Sequence, residues 1–173
     1  APHNKRNKEN QVVQDNKSNL EKTLLMAVFL GMMFIPLVYI FSPWLAFADY
    51  ELPLAVEIVG LALIPPMLWL FYRSHYDLGR NWSVSLEIRE GHHIVDTGVY
   101  KYIRHPMYTS IWTWAFIQAI LLQNFIAGPA GLLAFGALYF LRVYREESMM
   151  LATFGEAYRN YQARTRRLIP FIF

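Results

Sequence analysis

The chain has 173 residues, a normal length for one domain, yet 55% of them are hydrophobic and only 17% are charged. An average soluble domain carries about 25% charged residues, so a soluble protein is not predicted. Cysteine is absent, which excludes disulfides and thiolate metal sites. None of the five histidines follows the HxxxH or HExxH spacing, which argues against a metal enzyme. The formal net charge of +3 is small, and its placement is more informative than its size.

Residues 1–22 are predicted to form a flexible polar arm, because the first twenty are rich in Asn and Lys and show no apolar period. The arm lacks the apolar middle segment of a signal peptide. The chain begins with Ala1 rather than Met, which leaves open a further helix upstream of this sequence.

Long apolar stretches follow the arm. A bilayer core of about 30 Å requires about 20 apolar residues in a helix, and residues 23–48 and 52–72 each meet that length. The next stretch, 107–144, is too long for one span. Polar and helix-breaking residues near its middle indicate a hairpin of two helices, 107–126 and 129–144. The sequence therefore predicts an all-α integral membrane protein with about four transmembrane helices.

The basic residues lie on one side of the predicted membrane. They precede the first span, occupy the loop 73–106 between the second and third spans, and follow the fourth span in the tail 145–173. By the positive-inside rule, both termini and this loop are cytosolic. Residues 23–173 are predicted to form one membrane domain. Its amphipathic tail resembles a membrane-surface anchor that includes Arg167.

Two polar clusters on the cytosolic side are candidates for chemistry. In the first, Pro106 suits the first turn of the third helix, where its missing N–H donor would be unpaired in any case. Arg104 and His105 then lie at a helix N-terminus, which favours an anionic group. In the second cluster, Arg142 and Glu146 are four residues apart and share one helix face.

Both clusters resemble motifs of the isoprenylcysteine carboxyl methyltransferase family. GHHIVDTGVY at residues 91–100, followed by RHPMY at 104–108, is similar to the family's cofactor motif. The pattern RxxxEE at 142–147, followed by FGEAYRNY at 154–161, is similar to its C-terminal motif. The resemblance covers roughly residues 77–173. In overall size the chain resembles the short archaeal and bacterial members, which have five helices, so the resemblance raises again the question of an upstream helix.

The resemblance implies a binding site for S-adenosylmethionine on the cytosolic side and a role for each matching residue. Arg142 would be the catalytic residue that faces the substrate carboxylate, and Glu146 would hold the cofactor. The other residues implied to bind the cofactor are His92, Ile94, Val95, Tyr100, His105, Pro106, Met107 and Tyr108. A polar side chain upstream, Glu87 or Ser85, is a further candidate, as are Arg104 and Glu147. No metal is implied.

The implied reaction is methyl transfer from S-adenosylmethionine to the carboxylate of a lipophilic, isoprenylcysteine-like substrate at the cytosolic membrane interface. The expected partners are this lipophilic or prenylated carboxylate and the membrane lipids, with no nucleic acid. A carboxylate is already ionised near pH 7, so the reaction requires no general base. Its rate should come from proximity and alignment, for which a bidentate Arg142 is suited.

Three alternatives remain open from the sequence. A phospholipid or amine N-methyltransferase is one, although an amine acceptor must lose a proton and would call for a base rather than a cation such as Arg142. A membrane reductase that shares the RHPxY element is another, but it would need further basic residues for a nucleotide phosphate. The third is a non-enzymatic membrane scaffold, which predicts no cofactor binding at all.

Overall fold

The computed structural model describes residues 12–15, 19–79, 87–89 and 94–170. Within these residues, the chain forms five helices and one antiparallel ribbon of two short strands. The helices are α1 (Asn19–Phe41), α2 (Leu54–Leu78), α3 (Pro106–Leu121), α4 (Ala127–Phe154) and α5 (Glu156–Arg164), and the strands are β1 (Val12–Asp15) and β2 (Glu87–Arg89). The prediction of an all-α membrane fold is confirmed. The ribbon was not predicted, because β1 lies in the segment that was interpreted as a flexible arm.

Among the described residues, three helices are long and apolar enough to cross a membrane: α1, α2 and α4. They correspond to the first, second and fourth predicted spans. Helix α1 ends at Phe41, before the predicted end at residue 48, because the backbone becomes extended at Ser42. The third predicted span corresponds to α3, which has 16 residues and is therefore about 24 Å long at 1.5 Å per residue. This is shorter than a hydrocarbon core of about 30 Å. Helix α3 packs against both α2 and α4.

Two helices continue well beyond their predicted ends at residues 72 and 144. Helix α2 ends at Leu78 and α4 at Phe154, and each is followed by a glycine with positive φ, Gly79 (54°) and Gly155 (52°). The prediction ended both helices where charges begin. Charged residues mark the boundary of the apolar core, but Arg, Lys and Glu are good helix formers, and a left-handed glycine is the usual stop.

Polar side chains pin the helices together inside the apolar region. The Nε2 of Gln118 on α3 donates to the carbonyl oxygen of Gly31 on α1 at 2.9 Å and to that of Ala127 at 2.8 Å. Gly31 lies so close to α4 that an added Cβ would be 2.5 Å from the carbonyl oxygen of Ala130. Helix α1 therefore packs directly against α4, and the two run antiparallel. This packing determines which residues meet at the end of the bundle where α1 begins.

Helix α4 carries the second polar cluster out of the membrane. Its 28 residues span about 42 Å, which exceeds the hydrocarbon thickness by about 12 Å. The part of α4 nearer its start forms an aromatic core with α3 that includes Tyr108, Phe135 and Tyr139. The segment from Arg142 to Glu147 follows, at the boundary between this core and the charged second half of α4.

Candidate active site

The start of α3 is fixed by the C-terminal segment of the chain. The backbone N–H of Arg104 donates to the carbonyl oxygen of Arg166 at 2.7 Å, and that of His105 donates to Arg167 at 3.0 Å. In return, the N–H of Arg166 donates to the carbonyl oxygen of Tyr102 at 3.1 Å. Pro106 occupies the first turn of α3, as predicted. The tail thus runs beside the residues that precede α3 and holds them in place.

The buried carboxylate of Glu147 is the centre of an ionic cluster. Its Oε1 accepts from Arg104 Nε at 3.0 Å and lies 3.2 Å from His105 Nε2, and its Oε2 accepts from Arg167 Nη2 at 2.6 Å. Arg104 also donates through Nη1 to the carbonyl oxygen of Thr165 at 2.7 Å. Hydrogen bonding to Glu147 raises the pKa of the Arg167 guanidinium, which therefore stays charged. This cluster joins α4, the start of α3 and the tail.

Glu146, the neighbour of Glu147, points to a different part of the molecule. Its Oε2 accepts a 2.6 Å hydrogen bond from the hydroxyl of Tyr108, and its Oε1 lies 3.8 Å from His105 Nδ1. The rings of His105 and Tyr108 stack at 5.2 Å with an interplanar angle of 13°. The Glu146 side chain remains 29% exposed, against 8% for Glu147. Of the two acids, Glu146 is thus the one that a ligand can reach.

Arg142 lies between two carboxylates. Its Nε is 4.0 Å from Glu146 Oε2, one turn along α4, and its Nη1 is 3.3 Å from Oε1 of Glu21 on α1. The Arg142 side chain is only 11% exposed. Its Nε is buried and has no hydrogen-bond partner among the described residues. A buried donor without a partner is costly, so this edge of the guanidinium is suited to receive an acceptor group from a ligand.

The loop that precedes α3 is anchored to the end of α2. Asp77 Oδ2 accepts from the backbone N–H of Val99 at 2.9 Å, and Gly98, with φ of 58°, packs against the same carboxylate. The Tyr100 hydroxyl donates to the carbonyl oxygen of Ser74 at 3.1 Å. Burial raises the pKa of Tyr100, so its hydroxyl remains protonated and can donate. These contacts fix the backbone of residues 97–101.

The structure brings together four of the predicted site residues: Arg142, Glu146, His105 and Tyr108. Arg104 and Glu147 form the adjacent ionic cluster and contact the tail. Ile94, Val95 and Met107 are half-buried, and Pro106 is fully buried. The hydroxyl of Tyr100 contacts α2. His92, Ser85 and the side chain of Glu87 lie outside the described residues.

Three residues that shape this region were not predicted from the sequence: Glu21, Asp77 and Arg167. An acid immediately before the first predicted span was the available signal for Glu21. The loop contacts of Asp77 carried no signal, because those partners, Gly98 and Val99, lie 21 and 22 residues further along the chain. Arg167 was interpreted as part of a membrane-surface anchor, whereas the structure pairs it with Glu147.

Comparisons with known proteins identify the family of this chain. The model of the isoprenylcysteine carboxyl methyltransferase family matches residues 58–152, which include Arg142, Glu146 and the start of α3. Protein-S-isoprenylcysteine O-methyltransferase from Tribolium castaneum is 39% identical over 92 residues, which are 53% of this chain and 33% of that protein. The Homo sapiens protein of the same name is 29% identical over 119 residues, which are 68% of this chain and 42% of that protein.

A solved structure of a eukaryotic intramembrane Ras methyltransferase, an isoprenylcysteine carboxyl methyltransferase, superimposes with a TM-score of 0.59 at 29% identity. The match covers 91% of this chain and 54% of that one. The chain thus spans about half the length of that structure and less than half of the two curated relatives described above. The family match includes more than half of this chain and both polar clusters of the site. The chain belongs to the isoprenylcysteine carboxyl methyltransferase family.

Proposed function

We propose that the protein transfers a methyl group from S-adenosylmethionine to the carboxylate of a lipophilic, isoprenylcysteine-like acceptor. The observation that carries the proposal is the arrangement around Arg142 in the second half of α4. Among the described residues, the buried Arg142 Nε has no hydrogen-bond partner, and it lies 4.0 Å from Glu146, which accepts a hydrogen bond from Tyr108. A cation and an accessible carboxylate lie side by side, as a reaction between an anionic acceptor and a cationic methyl donor requires.

Arg142 would bind the acceptor carboxylate. A guanidinium can donate two parallel hydrogen bonds to a carboxylate, which fixes the orientation of that group. Such alignment replaces general-base catalysis, because the acceptor is ionised near neutral pH. The neighbouring surface favours a lipophilic acceptor, since the Arg142 cluster follows directly on the apolar core around Tyr139 and Phe135.

The residues around Glu146 fit the proposed cofactor. S-adenosylmethionine would supply a methyl group on a positively charged sulfur. An ionised carboxylate oxygen can attack the methyl carbon in line, so that the ester bond forms as the carbon–sulfur bond breaks and S-adenosylhomocysteine leaves. The exposed oxygens of Glu146 would pair with the cofactor's ammonium group, and the faces of Tyr108 and His105 are suited to contact a cation. The start of α3 provides a positive dipole end for an anion.

We extend the proposal to the other residues for which the family resemblance implies cofactor contact. The loop residues His92, Ile94, Val95 and Tyr100 and the helix residues Pro106 and Met107 would line the pocket, with Glu87 as a further candidate. We propose that Arg104 and Glu147 instead hold His105 in position. Arg104 donates to the carbonyl oxygen of Thr165, and Glu147 accepts from Arg167, so both connect the start of α3 to the tail. Residues 23–173 would act as one methyltransferase domain, with the active site and both termini of this chain in the cytosol.

Calorimetric titration of the detergent-purified protein with S-adenosylmethionine tests this proposal. We expect saturable binding by the wild type and a loss of at least about tenfold in affinity for Glu146→Ala, because a charge-assisted hydrogen bond contributes about 1.5–3 kcal/mol. Glu51→Gln is the matched control, since Glu51 is exposed near the opposite end of α2 and should leave the affinity unchanged. Absence of binding by the folded wild type would refute the proposal.

A further inference from the structure

Glu21 occupies an unusual position for a carboxylate. It lies in the first turn of α1 and is 7% exposed, and its Oε1 is 3.3 Å from Arg142 Nη1. Both side chains of the pair are at most 11% exposed. An acid so deeply placed loses hydration that only its partners can offset. The Glu21–Arg142 pair is therefore a specific contact between α1 and α4.

The position of Glu21 follows from the packing of α1 against α4. Gly31 contacts the backbone of α4 near Ala130, and its carbonyl oxygen accepts from Gln118. Glu21 lies ten residues before Gly31 on α1, which is about 15 Å of helix. Arg142 lies twelve residues after Ala130 on α4, which is about 18 Å of helix. The two antiparallel helices thus bring Glu21 beside Arg142.

The charges around Arg142 have a consequence for acceptor binding. Arg142 already lies near two carboxylates, those of Glu21 and Glu146. An acceptor carboxylate at the Nε, which has no hydrogen-bond partner among the described residues, would be a third anion beside one guanidinium, in a site that is largely screened from water. Carboxylates that share one cation repel one another strongly when they are buried. The site accommodates the acceptor more readily when one of the resident carboxylates moves away.

We propose that Glu21 is a resident carboxylate that the acceptor carboxylate displaces from Arg142. Glu146 accepts a hydrogen bond from the Tyr108 hydroxyl at 2.6 Å within the packed part of α4. Glu21 lies in the first turn of α1, and a helix end can move with the least disruption of the fold. Glu21 is thus a positioning residue that acts through Arg142 and sets the affinity for anionic acceptors. This inference rests on the proposed function, in which Arg142 binds the acceptor.

The same exchange favours product release. Methylation converts the acceptor carboxylate into a neutral ester, which no longer competes for the Arg142 guanidinium. Glu21 then regains its ion pair, and the ester loses its charged anchor. Because Glu21 competes only with a charged acceptor, its removal should strengthen binding of the free carboxylate and leave binding of the neutral ester unchanged.

The test compares binding of an N-acetylated S-prenylcysteine and of its neutral amide to the full chain in detergent, without cofactor, by calorimetry. We expect Glu21→Gln to tighten binding of the carboxylate about fivefold, which corresponds to about 1 kcal/mol, and to leave binding of the amide unchanged. Glu51→Gln should change neither. In steady-state assays, Glu21→Gln should lower the KM for the acceptor while the KM for the cofactor stays constant.

A purely structural role for Glu21 gives the opposite result, because loss of a supporting ion pair loosens Arg142 and weakens acceptor binding. Unchanged or weaker binding of the carboxylate by folded Glu21→Gln would therefore overturn the inference, as would equal tightening for both ligands. If Glu21→Gln does not fold, Glu21→Asp should show a smaller change in the same direction. Failure of the proposed function is recognised separately, as absence of S-adenosylmethionine binding by the wild type.

Discussion

Glu146 and Glu147 are adjacent acids on one helix, and the structure places them in different surroundings. Among the described residues, Glu147 has four hydrogen bonds or close contacts, from Arg104, His105 and twice from Arg167, and its side chain is 8% exposed. Within the same described part of the chain, Glu146 accepts one hydrogen bond, from Tyr108, and its side chain is 29% exposed. We predict that Glu147→Gln mainly destabilises the fold, whereas Glu146→Gln mainly weakens cofactor binding.

The magnitude follows from the partners. Loss of one side of a buried ion pair costs about 3–5 kcal/mol, and we expect about 3 kcal/mol for Glu147→Gln because the Gln oxygen can still accept one bond. In a chain of this size that corresponds to a fall in melting temperature of roughly 6–12 °C. Glu146→Gln keeps an acceptor for the Tyr108 hydroxyl, so its stability cost should stay below about 1 kcal/mol.

Thermal unfolding in detergent, followed by circular dichroism, measures the difference between the two variants. Limited proteolysis provides a local measurement, because loss of the Glu147–Arg167 contacts should expose the backbone around residues 162–168 to cleavage. Glu146→Gln is the matched control, since it makes the same chemical change one residue away. If both variants melt with the wild type, or if Glu146→Gln is the less stable one, the assignment of Glu147 as the structural anchor is wrong.

Three further substitutions test other parts of the account. Gly98→Ala would place a Cβ 2.1 Å from Asp77 Oδ2 at a φ of 58°. We therefore expect a loss of about 2 kcal/mol in stability and weaker cofactor binding. A melting temperature equal to that of the wild type would contradict this prediction. Arg142→Lys removes the guanidinium that can donate two parallel hydrogen bonds to a carboxylate. The KM for the acceptor should therefore rise about tenfold or more, while the affinity for the cofactor stays within about twofold of the wild type. A selective loss of cofactor binding would assign Arg142 to the cofactor instead. Gly31→Val should push α1 away from α4, since its Cβ would lie 2.5 Å from the carbonyl oxygen of Ala130. We expect a loss of about 2–3 kcal/mol in the free energy of unfolding, measured by urea titration.

The sequence was sufficient to predict the helices and the membrane class, because apolar length is a local property. It placed Pro106 in the first turn of α3 correctly and placed the hairpin turn before α4 to within a few residues. The helix ends were less accurate. The charges after Tyr72 and Tyr144 end the apolar stretch but not the helix, which continues to the next glycine.

The site could be predicted only where its residues share one helix or one motif. Arg142 and Glu146 are one turn apart, so their proximity follows from helix geometry. The contacts of Glu21 with Arg142 and of Arg167 with Glu147 join segments that are far apart in the chain. Such contacts depend on the packing of α1 against α4 and on the path of the tail, which no local pattern specifies. The predicted roles in binding the cofactor remain predictions.

The central claim is methyl transfer to a carboxylate held by Arg142. It is tested most directly by incubating the purified protein with S-adenosylmethionine radiolabelled in its methyl group and with an N-acetylated S-prenylcysteine. We predict label in the acceptor that mild base releases as methanol, and at least about tenfold less label with Arg142→Lys. Base-stable label would indicate transfer to nitrogen or another atom, and absence of label from a protein that binds both compounds would contradict the account.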